Sequence, residues 1–296
     1  MYEDLSVKNK GFDFYDANGL LGRGALWNYV ESDRSDGKTY NCKYRGLKRT
    51  FKNKTATVYL RRWKAEFTKT MISTFVDEVV NNNDELNPRL NRKVDYKSSQ
   101  SGIMMKVDDI WYDAFHFVPL SVAAKLKSSF NPIPVTEIDY DEYIPLDGRY
   151  LQNEMTMLLE FWNTCDRKRN IVKLLVLGNR VTKYNEFFRF FNIKPDMEKT
   201  GIRLYKNGAL AVQSYGTQNN RSYLNQSRFF DLIRGTAYED YMLGKVLELS
   251  PSIIAPVPSN AICVYSFYTI NGEGSIWSDD SRLYISEQKN RSSRYM

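Results

Sequence analysis

Gly37-Lys38-Thr39 is the group of residues in this chain best suited to chemistry. A glycine, a lysine and a hydroxyl in that order can close a phosphate-binding loop. N–H groups at a helix start face an anion, the ammonium adds charge beside the β- and γ-phosphates, and the hydroxyl can ligate Mg²⁺. The tripeptide follows an apolar stretch, Ala25 to Val30, and opens a segment of helical character. The full pattern calls for glycine five positions before Gly37; this chain has Ser32 there, and Asp33, Arg34, Ser35 and Asp36 complete the loop. By composition such a tripeptide occurs in roughly one chain in seven of this length, so it needs partners elsewhere.

Two later segments supply them. Asp141-Glu142 follows the strand-like run Ile133–Tyr140, and Asn179 follows the continuous apolar run Ile171–Leu177. A P-loop nucleotidase needs one carboxylate at Mg²⁺, a second to polarise the attacking water, and a polar side chain on the neighbouring strand near the γ-phosphate. The alternative for Asp141-Glu142 is a surface turn. Arg167, in Asp166-Arg167-Lys168-Arg169, precedes strand 171–177 and so lies at the opposite end from Asn179. It would serve a neighbour's site in a ring, or be one residue of a basic loop. Glu137 and Asp139 interrupt the strand before Asp141, which points to an edge position or a nearby basic partner.

The elements that must position these residues alternate between strand and helix. Residues 25–30 and 55–60 read as strands and 38–50 as a helix. Glu66 to Val80 reads as another helix, with Phe67, Met71, Phe75 and Val79/Val80 on one face. Residues 103–107 and 110–117 form a hairpin through Asp108-Asp109, and 151–162 is helical. This is an α/β sheet with ligands at the carboxyl ends of its strands. Residues 1–24 read as an irregular arm, 229–249 as helical pieces broken by Gly235 and Gly244, and 261–285 as a small β-meander.

Composition bounds the function class. A hydrophobic content of 42% over 296 residues supports one large or two modest folded domains. No apolar run approaches a membrane span, and Met1–Leu5 lacks a signal-peptide layout, so a soluble cytosolic protein without a membrane partner is expected. Cys42, Cys165 and Cys263 lack metal-ligand spacing and read as reduced thiols, mostly buried. The single histidine, His116, argues against a zinc site or a Ser-His-Asp triad and reads as a strand residue with a satisfied hydrogen bond. The net charge is +7, yet residues 217–296 carry eight basic and eight acidic residues and are neutral. Ten basic residues and no acidic one lie within Lys38–Lys64, which reads as a solvated face or as a surface for an anionic polymer.

The chain resembles the DNA encapsidation ATPases of φ29-type tailed phages. The resemblance is carried by Tyr59-Leu60-Arg61-Arg62-Trp63-Lys64-Ala65-Glu66, Val118-Pro119-Leu120-Ser121-Val122, Asp141-Glu142-Tyr143-Ile144, Asp166 to Asn179, Phe187 to Asp196 and Leu232 to Tyr238. It is collinear over about residues 25–285. The resemblance implies a ring ATPase similar to the FtsK/HerA group, of the ASCE type, that pumps double-stranded DNA into a preformed capsid. It implies ATP and Mg²⁺ as cofactors, with Ser32, Arg34, Ser35, Asp36, Gly37, Lys38 and Thr39 at the nucleotide. Thr39 and Asp141 would serve the metal, and Glu142 would be the catalytic base. Arg34 would contact phosphate in cis, and Arg167 and Lys127 would act in trans.

The implied partners are a homo-oligomeric ring, with a pentamer the expected size, the phage portal or prohead, and a packaging RNA. The implied location is host cytoplasm and, transiently, the prohead, but not the mature virion. The implied domains are a P-loop ATPase domain at 1–216, a helical linker at 217–255 and a short β-rich, vestigial RNase H-like domain at 256–296. Only about 40 residues follow Pro256, too few for a whole nuclease fold, so Asp279 and Asp280 support no nuclease and a nuclease-bearing terminase is disfavoured. The rival from another class is a non-enzymatic nucleic-acid-binding ring component with a decayed P-loop.

Overall fold

Strand-favouring aromatic and β-branched residues gather in segments that pair into one large sheet. In the computed structural model the described residues are 8–9, 12–13, 15–33, 36–99, 101–123, 135–145, 149–179, 186–195, 199–215, 228–236, 238–239, 257, 260–269, 272–279 and 282–286. Strands β1 (Lys8–Asn9) and β2 (Phe12–Asp13) form a short separate ladder. The large sheet contains β3 (Trp27–Ser32), β4 (Ala56–Arg61), β5 (Val94–Ser99), β6 (Gly102–Val107), β7 (Ile110–Pro119), β8 (Val135–Tyr140), β9 (Lys173–Asn179), β10 (Gly201–Tyr205) and β11 (Leu210–Ser214). Its spatial order is β10-β11-β3-β9-β8-β4-β7-β6-β5. The six strands from β11 to β7 are parallel to their neighbours, and the margins are antiparallel. This is the parallel-rich α/β sheet expected from the sequence. It puts β9 between the strand before Gly37-Lys38-Thr39 and the strand before Asp141-Glu142.

The helices are α1 (Asn18–Leu21), α2 (Lys38–Asn53), α3 (Lys69–Thr74), α4 (Asp77–Asn81), α5 (Leu120–Ala123), α6 (Glu154–Asp166), α7 (Glu186–Phe191) and α8 (Arg228–Ile233). Each central strand is buried on both faces, as parallel strands must be. Leu60, Tyr140, Leu174 and Tyr29 face a core that includes Leu158 and Phe161 of α6 and Phe187 of α7. Tyr59 and Phe115 face the other side, with Tyr44 and Leu47 of α2 and Val79 of α4. Gly46 lets α2 approach the sheet, since a Cβ there would lie 2.3 Å from the Phe115 ring. The hairpin turn falls where expected, with Val107 opposite Ile110 and both Asp108 and Asp109 in the left-handed region (φ 51° and 68°). Two such residues in succession match a type I′ turn.

Several expectations need correction. Residues 15–24 are no irregular arm: Tyr15, Ala17, Leu20 and Leu21 are core residues packed with Val30, Leu175 and Leu177. The helix expected over 66–80 is a 3₁₀ turn at Lys64–Glu66 followed by α3 and α4. The break falls at Phe75, whose ring lies 4.8 Å from Tyr59, 5.0 Å from Phe115 and 4.8 Å from Phe117. Packing that aromatic cluster bends the chain. Strand β8 is interior to the sheet, which excludes the edge position for Glu137 and Asp139; the basic partner is present. Strands β5, β10 and β11 were not read from the sequence.

Residues 1–247 and 248–296 form two compact units. In the second, β12 (Ile262–Thr269), β13 (Gly272–Asp279) and β14 (Arg282–Ser286) form the antiparallel meander anticipated from the sequence. The boundaries expected at 216/217 and 255/256 fall outside the described residues. Cys42 and Cys165 are buried, Cys263 is half-buried, and all three are free thiols. His116 lies in β7, where burial lowers its pKa against the pull of Asp113. Among the described residues no helix is long and apolar enough to cross a membrane.

Candidate nucleotide site

The site forms where the parallel strands end. Strand β3 stops at Ser32, and α2 starts after Gly37, whose φ of 82° suits glycine at this turn. N–H groups in the first turn of α2 lack intrahelical acceptors and face outward along the helix axis. The Tyr15 N–H braces the loop by donating to the Asp36 carbonyl at 2.8 Å. The Asn41 side chain accepts the Ala17 N–H at 3.1 Å.

Lys38 is buried, and its ammonium donates to Ser32 Oγ at 2.6 Å and to the Asp33 carbonyl at 2.8 Å. Ser32, in the position where glycine was expected, therefore holds the lysine with its own hydroxyl. Burial lowers the Lys38 pKa to about 8, while Asp36, Asp141, Asp33 and Glu31 oppose that shift. The lysine remains charged at neutral pH.

Thr39 donates its hydroxyl to Asp141 Oδ2 at 2.8 Å. The Glu142 N–H donates to Asp141 Oδ1 at 2.9 Å. Glu142 sits at φ 53°, a strained conformation for this residue type, with its side chain 58% exposed. Asn179 ends β9 directly beside Ser32 in the parallel register. Ser32, Asp36, Gly37, Lys38, Thr39, Asp141, Glu142 and Asn179 thus share one end of the sheet.

Arg167 does not join them. It follows α6 with φ 50° and is exposed at the end where β9 begins. Asp166 organises that loop by accepting the N–H groups of Asn170, Ile171 and Val172 at 2.9, 2.9 and 3.0 Å. Arg169 donates to the Asp166 and Cys165 carbonyls at 2.9 Å each, whereas no partner for the Arg167 guanidinium is found among the described residues. Arg34, Ser35 and Lys127 lie outside the described residues.

The sequence reading missed two side chains, Tyr59 and Arg61. The Tyr59 hydroxyl donates to Asp141 Oδ2 at 2.5 Å. Arg61 Nη2 lies 3.3 Å from the same oxygen, and Nη1 pairs with Glu142. Burial opposes the charge of Arg61, but Tyr59, Asp141 and Glu142 outweigh burial and raise its pKa. No signal in the sequence marks them: Tyr59 comes to stand opposite Asp139, two residues before Asp141, only because β4 pairs with β8.

The basic run Lys38–Lys64 is also reinterpreted. Arg45 and Arg49 pair with Glu137, Lys48 with Glu85, Arg61 with Asp141 and Glu142, and Arg62 with Glu154. Five of the ten basic residues of this run neutralise carboxylates of the protein itself, so only part of it, including the exposed Lys52 and Lys64, is left to face solvent or an anionic polymer.

Known proteins share this framework. The DNA packaging proteins of Bacillus phages PZA and phi29 are each 28% identical over 232 residues, covering 78% of this chain and 64% of theirs. The chain therefore spans less than two thirds of these relatives' length. The crystal structure of the N-terminal domain of the DNA packaging ATPase from bacteriophage phi29 superposes with a TM-score of 0.57 at 26% identity, covering 70% of this chain and 97% of that one. The family model of the Podovirus DNA encapsidation protein (Gp16) matches residues 9–296, and the chain belongs to that family.

Proposed function

We propose that the chain is an ATP-driven double-stranded DNA translocase that packages a phage genome. The observation that carries this reading is the Thr39–Asp141 hydrogen bond, which joins the start of α2 to the end of β8, with Lys38 and Glu142 each one residue away. Two hard oxygens from one hydroxyl and one carboxylate fit Mg²⁺, which takes its other ligands from phosphate and water. Bound ATP–Mg²⁺ supplies the γ-phosphoryl group and neutralises its developing charge. Lys38 leaves Ser32 to hold the β- and γ-phosphates. Glu142, released from Arg61, accepts a proton from the attacking water. Asn179 contacts the γ-phosphate, and Arg34 contacts phosphate in cis.

Arg167 and Lys127 act on a neighbouring subunit's nucleotide within a homo-oligomeric ring, with a pentamer the expected size. The ring works on the phage portal or prohead in the host cytoplasm, with a packaging RNA as a further partner. A P-loop domain at 1–216, a linker at 217–255 and a vestigial RNase H-like domain at 256–296 belong to the same proposal.

The test is ATP hydrolysis with and without double-stranded DNA. Lys38→Ala and Glu142→Gln should each abolish DNA-stimulated turnover, and full activity in both would sink the site assignment. Mixing Arg167→Ala with Glu142→Gln subunits should restore part of the hydrolysis. The buried Asp33 and Asp36 beside Lys38 favour a second reading, a nucleic-acid-binding ring component with a decayed P-loop. That protein would show salt-sensitive DNA binding and no Mg²⁺-dependent turnover.

A further inference from the structure

Asp141 Oδ2 accepts three side-chain donors: Tyr59 at 2.5 Å, Thr39 at 2.8 Å and Arg61 at 3.3 Å. The three differ in their freedom to leave. The Thr39 hydroxyl turns about a single bond. Arg61 is shared with Glu142 and with Glu66, 3.8 Å away. Tyr59 is fully buried, and its ring is wedged against Phe75 at 4.8 Å and Phe117 at 6.2 Å. Moving its hydroxyl off Asp141 would require repacking that cluster.

The direction of the Thr39 proton matters for the same reason. A threonine hydroxyl has one proton and two lone pairs. By giving the proton to Asp141, Thr39 keeps its lone pairs for a cation. That arrangement lasts only while Asp141 stays put. The Tyr59 phenol must be the donor in this contact, because an ionised carboxylate has no proton to give.

We propose that Tyr59 is a positioning residue of the cation site: its hydroxyl fixes Asp141 Oδ2 and, through it, turns the Thr39 proton away from the face that ligates Mg²⁺. This rests on the nucleotide-site reading above. The test uses the full chain and the variant Tyr59→Phe, which keeps the ring contacts. Binding of a fluorescent ATP analogue is titrated with Mg²⁺ and repeated in EDTA. The variant should need about tenfold more Mg²⁺ for half-maximal enhancement, the size of one lost hydrogen bond to a charged group. Its affinity in EDTA should change less than about twofold, and its thermal midpoint in EDTA should confirm folding.

An unchanged Mg²⁺ midpoint, or equal losses with and without Mg²⁺, overturns the role of Tyr59 alone. A wild-type chain with no Mg²⁺-enhanced binding overturns the site reading and this role with it. A second arm places Tyr59→Phe in a Thr39→Ala background. With no hydroxyl to orient, the tyrosine substitution should change the Mg²⁺ midpoint by less than about twofold. A full tenfold effect in that background means that the Tyr59 hydroxyl does not act through Thr39 and overturns the proposal.

Discussion

Arg61 and Arg62 are adjacent at the end of β4, yet they serve two contrasting regions of the molecule. Arg62 is buried on the α6 side. Its Nε and Nη2 meet the two Glu154 oxygens at 2.7 and 2.9 Å, and Nη2 also donates to the Tyr143 carbonyl. Glu154 additionally accepts the Tyr140 hydroxyl at 2.7 Å and the Leu151 N–H at 2.8 Å. Arg61, on the α2 side, divides itself among Asp141, Glu142, Glu66 and Tyr59, and its Glu142 partner is largely exposed. A closed pair with its groups satisfied fixes structure. An open pair with competing partners can exchange them. The largest expected effect tests the closed side: Glu154→Ala or Arg62→Ala should lower unfolding free energy by about 3–5 kcal/mol, because each strands a buried charge. Denaturant unfolding measures this, and a loss below about 1 kcal/mol would erase the contrast.

Arg61→Ala should behave differently. Asp141 retains Tyr59, Thr39 and the Glu142 N–H as donors, so stability should fall by only about 1 kcal/mol. The effect should appear in hydrolysis. Glu142 without its guanidinium partner is no longer held away from water. The ratio of DNA-stimulated to basal turnover should then drop by roughly fivefold, the population shift that ~1 kcal/mol provides. An unchanged ratio would show that the Arg61–Glu142 pair has no bearing on hydrolysis.

How much of this was legible in the sequence depended on how local each feature is. Gly37-Lys38-Thr39 lies between a strand and a helix that adjoin it in sequence, and Asp141-Glu142 directly follows its own strand. Both were readable from neighbouring residues. The Asp108-Asp109 turn and the C-terminal meander were readable for the same reason. Tyr59 and Arg61 matter because β4 lies beside β8 in space, and nothing between residues 61 and 135 announces that pairing. The basic run misled because α2 lies over a strand that carries its own carboxylates. Phe75 misled because an aromatic cluster outweighed the helical period of 66–80.

The smallest effect sharpens the comparison most, because it concerns a polar group closed by a proton rather than by a counter-charge. Glu137 and Asp139 share the α2 face of β8 with Asp141. Arg45 and Arg49 reach Glu137 Oε2 at 3.1 and 2.5 Å. Burial works against the Glu137 charge, but Arg49 and Arg45 outweigh it and hold the pKa at about 2. Asp139 is fully buried, and neither of its oxygens has a donor among the described residues. Burial and the Glu137 charge push its pKa well above 3.8, so the folded state keeps a proton that the unfolded chain releases. Stability from this group is therefore fully present below pH 3.8 and declines as pH rises toward the folded pKa. Asn has nearly the shape of a protonated Asp and does not titrate. Asp139→Asn should change stability by no more than about 1 kcal/mol at low pH, where both side chains are neutral, and wild type should lose ground steadily to the variant as pH rises above 3.8. Urea unfolding at several pH values reads this directly. A loss of several kcal/mol that does not vary with pH would mean that Asp139 is ionised, and that this face is closed by charge in the manner of Arg62 and Glu154.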